Sequence, residues 1–212
     1  MKLSRAEWED RYATGRMRMA FVGMSNIGKS YSGMRLAAEY DFSLIEVDAL
    51  IWEALGEDDM AAFADWLGQP YSKGYAEREA ESMALESEAT AKAMRRPVRN
   101  PLLDTTGSVI YAEKRVLERL TDYYYVVYIE AAEEHLDRLK QLYFASPKPL
   151  AWQGHYSRGD GLSERESLIA SYPKLLTSRH TAYARLADHT ISSRDILVES
   201  DAALFDLVKP AR

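Results

Sequence analysis

Residues 23–30 read GMSNIGKS and match the pattern G-x-x-x-x-G-K-[S/T] at every fixed position. The pattern is specific only where it joins a strand to a helix. An apolar run precedes it at residues 19–22, and residues 31–40 follow it with Met34, Ala37 and Ala38 at helical spacing. A chance Gly/Ser turn is the alternative, and this context argues against it. The sequence therefore predicts a phosphate-binding loop between a first strand and a helix.

The chemistry expected of this loop follows from its residue types. Glycines let consecutive backbone N–H groups point at phosphate oxygens, and the N-terminus of the following helix adds partial positive charge. Lys29 is expected to reach the β- and γ-phosphates as a catalytic cation, and the Ser30 hydroxyl to bind Mg²⁺. We therefore expect ATP as co-substrate with Mg²⁺, and contacts to the nucleotide from Met24, Ser25, Asn26, Ile27, Gly28, Lys29, Ser30 and Tyr31.

Composition excludes several classes of protein. The 212 residues are 47% hydrophobic and 28% charged, as in an ordinary globular chain with one core. The net charge of −6 argues against a broad nucleic-acid surface. Because no apolar run approaches the roughly 20 residues of a membrane span and the N-terminus is charged, we expect a cytoplasmic protein without membrane association. The absence of cysteine excludes disulfides, and we expect a monomer or a small homo-oligomer.

Strand and helix patterns alternate along the chain. Strands are predicted at residues 18–22, 43–48, 98–104, 123–129 and 195–198. Helices are predicted at residues 3–12, 31–40, 75–96, 111–120, 131–144, 171–186 and 201–208, the one at 171–186 entered through Pro173. Alternation of this kind predicts an α/β fold: a three-layer P-loop NTPase fold with a parallel sheet of about five strands. The phosphate loop would then lie at the carboxyl ends of the strands, where such folds bind ligands.

The organisation predicted is a single domain over residues 1–212, with residues 1–16 as a helical extension. Residues 49–74 look irregular and rich in aromatic side chains, and we assign 49–75 to an acceptor-binding insert. Residues 145–165 are rich in proline and glycine and carry Lys148 and Arg158. A basic excursion of this kind could close over a transferring phosphate as a lid, although two ordinary loop cations are an equal alternative.

Two aspartates follow predicted strands. Asp48 ends the second strand, where its carboxylate could orient or deprotonate an attacking hydroxyl, or could simply cap the next helix. Asp104 follows Leu102 and Leu103, which is the apolar-run-then-acid form of a Walker B element that holds Mg²⁺. A turn begun by Asp104 is the alternative. The hydroxyls that follow, with Thr106 and the backbone of Gly107, would lie close to the substrate.

Several of these stretches, in order, resemble the shikimate kinase family of small-molecule kinases. The resemblance rests on the phosphate loop, LIEVDALIWEALG (44–56), LLDTTGSVIY (102–111), YYVVYIEAAEEHLDRL (124–139), KPL (148–150) and RHTAYARLADHTI (179–191). It implies that Asp48 binds the acceptor and faces its hydroxyl, and that Gly107 belongs to the acceptor-binding turn. It further implies that Lys148 is the lid cation at the nucleotide. Arg179, which alone would be read as a surface residue sharing a helix face with Tyr183, would grip an acceptor carboxylate.

The sequence also departs from the family pattern. The family's Phe-Arg-x-x-Glu falls on Tyr75-Ala76-Glu77-Arg78-Glu79, so Ala76 replaces an arginine of the carboxylate clamp. The turn carries Ser108 in place of a glycine, and the lid cation is lysine, which lacks the fork geometry of arginine. We therefore expect an altered acceptor site, with a polyol, sugar acid or nucleoside in place of shikimate.

Three rival functions remain open from the sequence. A GTP-dependent switch fits the phosphate loop and Asp104-Thr105-Thr106-Gly107, but a guanine-reading Asn/Thr-Lys-x-Asp motif is absent. A nucleoside or nucleotide kinase would stack a base on Trp52, Trp66 or Tyr75. A binding protein without turnover is the third. The sequence favours an ATP- and Mg²⁺-dependent kinase of a small hydroxyl compound.

Overall fold

A computed structural model describes residues 1–55, 60–145, 150–197 and 200–211, with the backbone alone at residue 60. Within these residues, five parallel strands form one sheet. They are β1 (Met19–Val22), β2 (Ser43–Glu46), β3 (Pro101–Asp104), β4 (Tyr125–Glu130) and β5 (His189–Ser192). Their order is β2-β3-β1-β4-β5, so the chain crosses over rather than pairing consecutive strands. The predicted α/β class and parallel five-stranded sheet are confirmed.

The helices enclose this sheet. They are α1 (Arg5–Ala13), α2 (Lys29–Glu39), α3 (Val47–Leu55), α4 (Met60–Leu67), α5 (Tyr75–Ala93), α6 (Lys114–Tyr123), α7 (Glu133–Ala145), α8 (Glu164–Leu186) and α9 (Asp201–Leu207). The central strands β1 and β3 are buried along their whole length, in keeping with their apolar sequences. Among the described residues, no helix is long and apolar enough to cross a membrane.

The register of the sheet brings the phosphate loop and Asp104 together. Phe21 of β1 pairs with Asp104 of β3, and Glu46 of β2 pairs with Asp104 on its other side. Because all three strands are parallel, their carboxyl ends meet at one edge. The loop at residues 23–28 and the first turn of α3 therefore lie beside the end of β3.

The predicted carboxyl end of β2 is wrong, and so is the prediction that the segment after it is irregular. β2 ends at Glu46, and Asp48 lies in the first turn of α3 rather than at a strand end. Residues 49–74, read as irregular, contain α3 and α4. Val47, Leu50 and Ile51 are the buried residues of α3, and this i, i+3, i+4 spacing is the helical signal that an aromatic-rich composition obscured.

Two further boundaries differ from the predictions. The last strand, predicted at residues 195–198, is His189–Ser192, which pairs with β4 from Val127 onward. Residues 195–197 form one turn of 3-10 helix instead. Residue 198 of the predicted strand lies outside the described residues. Helix α8 begins at Glu164, because Ser163 and Glu166 form a capping box, and Pro173 therefore lies inside the helix rather than at its entry.

A second, smaller hydrophobic cluster lies beside the main core. It joins α4, α5, α7 and α8 to the chain that follows residue 149, through Leu67, Tyr75, Tyr143, Leu150, Trp152, Leu168, Tyr172 and Leu175. Tyr143 and Tyr172 stack with ring centroids 5.1 Å apart. The described part of the predicted lid that starts at residue 150 therefore begins with a buried segment at residues 150–152.

Candidate functional site

The phosphate loop has the conformation that its glycines predict. Gly23 and Gly28 have φ angles of 148° and 106°, and Asn26 has a φ of 64°. At Gly23 a Cβ atom would lie 2.7 Å from the carbonyl oxygen of Ile129, so only glycine fits against β4. The loop leaves β1 at Val22 and enters α2 at Lys29. This is the strand–loop–helix context in which backbone N–H groups can cradle an anion.

Lys29 lies over the loop that precedes it. Its side chain is buried, and Nζ donates to the carbonyl oxygens of Gly23 and Met24, each at 3.1 Å. The ammonium group is thus held against the concave face of the loop. A phosphate cradled there would meet this positive charge together with that of the helix N-terminus.

Ser30 and Asp104 form a pair at the mouth of the loop. The Ser30 hydroxyl donates to Oδ2 of Asp104 at 2.5 Å. Asp104 is buried, and its second oxygen, Oδ1, has no hydrogen-bond partner among the described residues. A buried carboxylate oxygen without a partner is costly, and it needs a cation or a donor.

This oxygen pair fits Mg²⁺. Mg²⁺ prefers oxygen ligands and is commonly held by one or two carboxylates together with substrate phosphates and water. The described residues contain no group of three or more acidic, histidine or cysteine side chains that would form a protein-only cage. Ser30 and Asp104 would therefore hold the ion only together with a bound nucleotide.

One cleft gathers most of the residues predicted for the site. It is lined by Ser25, Asn26, Lys29, Ser30, Asp48, Ile51, Trp52, Phe63, Glu86, Asp104, Thr106, Gly107 and Ser108. The phosphate loop forms one side of it, α3 and α4 supply Asp48 and the aromatic side chains, and the turn after β3 closes it. Asp48 reaches the cleft from a helix rather than from a strand.

Other predicted site residues lie outside this lining. Met24 and Ile27 are buried behind the loop, and Gly28 caps α2 through its backbone. Tyr31 is 49% exposed, and its ring lies 5.4 Å from the Arg35 guanidinium carbon. Lys148 lies outside the described residues.

Arg179 is fully buried instead of lying at the surface. Its two terminal nitrogens donate to the carbonyl oxygens of Gly107 and Ala151, each at 2.8 Å. The Tyr183 hydroxyl donates to the same Gly107 carbonyl, so the shared helix face predicted for Arg179 and Tyr183 is directed at this turn. Arg179 also lies 5.3 Å from the Tyr111 ring centroid. It fixes the turn at Gly107 from behind and is not among the residues that line the cleft.

Glu86 is the site residue that sequence reasoning missed. It projects from the middle of α5 into the cleft, is buried, and has an Oε2 atom without a hydrogen-bond partner among the described residues. Burial raises the pKa of Glu86 to about 8, Asp48 adds to the rise, and Thr106, Arg179 and Ser108 oppose it. A signal was present in the sequence, since Glu86 shares the buried face of α5 with small residues at helical spacing: Ser82, Ala89, Thr90 and Ala93.

The stretch that was matched to Phe-Arg-x-x-Glu lies elsewhere. Ala76 is exposed and does not line the cleft. The Glu79 carboxylate accepts hydrogen bonds from the backbone N–H groups of Trp152 and Gln153, at 2.5 and 3.0 Å, and from the Tyr75 hydroxyl at 2.7 Å. This part of α5 therefore anchors the chain at residues 150–153. The match of Ala76 to a lost clamp arginine is not supported by its position.

The aromatic side chains considered for stacking on a base lie partly in the cleft and partly outside it. Trp52 lines the cleft and meets Phe63 edge to face, with centroids 5.4 Å apart. Trp66 stacks on the far side of Phe63 at 5.1 Å and is not in the lining. Tyr75 belongs to the smaller cluster, where its hydroxyl donates to the Leu150 carbonyl.

Comparison with known proteins identifies the fold. No family model matches the sequence, and no curated protein matches it. Among solved structures, the shikimate kinase from Bacteroides thetaiotaomicron aligns with a TM-score of 0.59 and 16% identity over 91% of this chain and 94% of that chain. The shikimate kinase from Acinetobacter baumannii, solved in complex with shikimate, aligns with a TM-score of 0.59 and 19% identity over 92% and 91%. The enzyme from Aquifex aeolicus aligns with a TM-score of 0.56 and 17% identity over 91% of each chain.

These likenesses establish the fold of this chain. It has a shikimate kinase-like P-loop fold along nearly its whole length, as the motifs predicted.

Proposed function

We propose that the protein is an ATP- and Mg²⁺-dependent kinase that transfers the γ-phosphoryl group to a hydroxyl of a small molecule. The observation that carries the proposal is the pairing of Ser30 with Asp104 in one cleft with Asp48, where Oδ1 of Asp104 has no hydrogen-bond partner in the described part of the chain. A phosphate cradle alone would serve any nucleotide-binding protein. A metal-binding pair and a further carboxylate beside the cradle are what phosphoryl transfer to a second substrate requires.

The donor half of the site consists of the loop, Lys29, Ser30 and Asp104. The loop amides and Lys29 bind the β- and γ-phosphates and stabilise charge that develops on them. Bound Mg²⁺ would neutralise charge on the same phosphate oxygens. Ser30 and Asp104 hold their oxygens ready at this position because they are already hydrogen-bonded to each other.

The acceptor half consists of Asp48 with Thr106 and Gly107. Asp48 orients the acceptor hydroxyl and accepts its proton as the oxygen attacks the γ-phosphorus. The turn at Gly107 lies against the phosphate loop: a Cβ there would meet Ser25 Oγ at 2.8 Å. Arg179 acts as a positioning residue, because it holds the Gly107 carbonyl and so fixes the acceptor turn relative to the donor half.

A lid is proposed over residues 145–165, with Lys148 as the cation that closes on the phosphates. Arg158 lies in its described part and pairs with Glu164 at 3.5 Å, both side chains being more than half exposed. Closure would exclude water from the transfer step. The anchored segment after Leu150 gives such a lid a fixed end.

The experiment is an ADP-release assay with ATP, Mg²⁺ and a panel of polyols, amino alcohols, sugar acids and nucleosides, with a parallel GTP series. The key variant is Asp48→Asn, and its control is Asp65→Asn, an exposed carboxylate on the neighbouring helix α4. We expect Asp48→Asn to lower kcat by about 100-fold or more, while binding of a fluorescent ATP analogue with Mg²⁺ is unchanged. Asp65→Asn should have the same kcat and the same affinity for the ATP analogue as the natural sequence.

Two results would overturn the proposal. Equal turnover by Asp48→Asn and the natural sequence would remove Asp48 from its role. Binding of GTP but not ATP, without transfer to any acceptor, would replace the kinase with a GTP-binding protein.

A further inference from the structure

The acceptor side of the cleft is acidic and aromatic. We define the acceptor subsite as Asp48, Trp52, Phe63, Glu86 and Ser108, which line the cleft outside the phosphate loop. It contains two carboxylates and two aromatic rings. Among the described residues that line the cleft, Lys29 is the single cation, and it lies on the phosphate side. The subsite therefore offers an acidic acceptor no positive charge.

Glu86 lacks a full set of partners in this subsite. The residue lines the cleft and is more than nine-tenths buried, and its Oε2 atom has no hydrogen-bond partner among the described residues. A carboxylate in such surroundings is stabilised by a cation or by a strong donor. Without a bound substrate, a proton satisfies the group near neutral pH, since burial raises the pKa of Glu86 to about 8. Because the residue lines the cleft, a substrate cation bound there is positioned to take the place of that proton.

Arg179, the buried cation that acts on the pKa of Glu86, already has other partners. Both terminal nitrogens of Arg179 donate to backbone carbonyls, and one of them also approaches Ser108 Oγ at 3.5 Å. Arg179 contributes to the field at Glu86 but lies behind the turn at Gly107, outside the lining of the cleft. Its terminal nitrogens serve the turn rather than Glu86, while its Nε has no hydrogen-bond partner among the described residues.

We propose that the acceptor is an amino alcohol, whose protonated amine binds Glu86 and the aromatic side chains of Trp52 and Phe63. This inference rests on the proposed kinase function and names its substrate class, of which amino sugars and aminocyclitols are examples. An ammonium group would favour the ionised form of Glu86, taking the place of the proton that burial makes it hold near neutral pH, and would be attracted by the aromatic faces. An acceptor carboxylate would instead meet the like charge of Asp48 and gain no cation from Glu86.

In the reaction, the amine binds and does not react. The acceptor hydroxyl oxygen forms a bond to the γ-phosphorus, the bond between that phosphorus and the β–γ bridging oxygen breaks, and ADP leaves. The hydroxyl proton passes to Asp48. Glu86 is therefore a specificity-determining residue, and its removal should raise KM for the amine more than it lowers kcat.

The first test compares matched acceptors that differ in one charged group: glucosamine, glucose and glucuronate, and an aminocyclitol with its all-hydroxyl and carboxylate counterparts. We expect the amine to have the highest kcat/KM in each set and the acid the lowest. Glu86→Gln should reduce kcat/KM for the amine by about 30-fold or more, mainly through KM, with little effect on the neutral compound. Glu88→Gln changes an exposed carboxylate on the same helix and should leave all three values unchanged.

A second test measures the subsite without turnover. Ligand-detected NMR would compare cyclohexylammonium, cyclohexanol and cyclohexanecarboxylate in the presence of Mg²⁺ and a non-hydrolysable ATP analogue. We expect the ammonium compound to bind preferentially, and Glu86→Gln but not Glu88→Gln to abolish that preference.

The outcomes separate this inference from the proposed function. Equal or stronger binding of the neutral or acidic compounds, or no binding of the ammonium compound, overturns the amine assignment even if the protein proves to be a kinase. Preferential, Glu86-dependent amine binding without phosphoryl transfer to any acceptor supports the subsite and overturns the kinase.

Discussion

Replacing Glu86 by glutamine should stabilise the protein, and the gain should depend on pH in a defined direction. The substitution keeps the shape of the side chain and removes the charge that burial opposes. In the folded protein the pKa of Glu86 is raised from 4.5 to about 8, with burial as the largest cause. Between these values the folded state keeps the proton and the unfolded chain releases it. The contribution of Glu86 to the free energy of unfolding is therefore fully present below pH 4.5 and is lost as the pH rises from there to about 8.

The magnitude follows from the size of the shift. Each pKa unit corresponds to about 1.4 kcal/mol, so the full loss is on the order of 4 to 5 kcal/mol above pH 8. Glutamine does not titrate in this range. The difference in unfolding free energy between Glu86→Gln and the natural sequence should consequently be larger at pH 8.5 than at pH 5 by several kcal/mol, on the order of 3 to 4.

The assay is urea denaturation of the nucleotide-free protein, followed by tryptophan fluorescence across this pH range. Glu88→Gln, on the exposed side of the same helix, serves as the control. Its free energy of unfolding should change with pH in parallel with that of the natural sequence. A Glu86→Gln curve that also runs parallel to the natural sequence would refute the reasoning, because Glu86 would then titrate as it does in the unfolded chain.

Three further substitutions test other parts of the site. Asp104→Asn should raise the Mg²⁺ concentration needed for half-maximal nucleotide binding by about 10- to 100-fold, measured by titration with a fluorescent ATP analogue; an unchanged requirement would remove Asp104 from the metal site. Gly107→Ala should destabilise the protein by about 1 to 3 kcal/mol and weaken nucleotide binding, because its Cβ would lie 3.2 Å from the Ser25 backbone nitrogen; unaltered denaturation and nucleotide titrations would contradict this. Arg179→Lys cannot bridge the carbonyls of Gly107 and Ala151, and each carbonyl left unpaired should cost about 1 to 3 kcal/mol in urea denaturation; a loss below this range would show that the bridge is dispensable.

The fold was predictable because its signals are local. The phosphate loop requires a strand before it and a helix after it, and β4 is a continuous run of β-forming residues that suits a doubly buried strand. Alternation of strands and helices then leaves few topologies. The errors fall where two local signals compete, as at Pro173, where a proline suggested a helix start and the capping box at Ser163 set it earlier.

The donor half of the site was predictable for the same reason. Lys29 and Ser30 lie inside one short motif, and Asp104 follows a strand that pairs directly with the strand before that motif. The acceptor half is built from α3 and α4, α5 and the turn after β3, three parts of the chain that are separated in sequence. Glu86 belongs to a helix with several other glutamates, and its distinction from Glu88 is burial alone, which arises from tertiary packing. Arg179 was assigned to a ligand by family resemblance, and its contacts with two backbone carbonyls depend on where residue 151 lies.

Helix α5 carries two of the carboxylates described above, and their spacing limits how this sequence can change in length. Glu79 holds the chain at Trp152 and Gln153, and Glu86 lines the cleft. They are seven positions apart in the sequence, which is nearly two full turns and about 10 Å along the helix axis. Inserting or deleting one residue between them would rotate one carboxylate by about 100° relative to the other. Substitutions on the exposed side of α5 are free of this constraint, whereas the count of residues between Glu79 and Glu86 is fixed by two separate parts of the molecule.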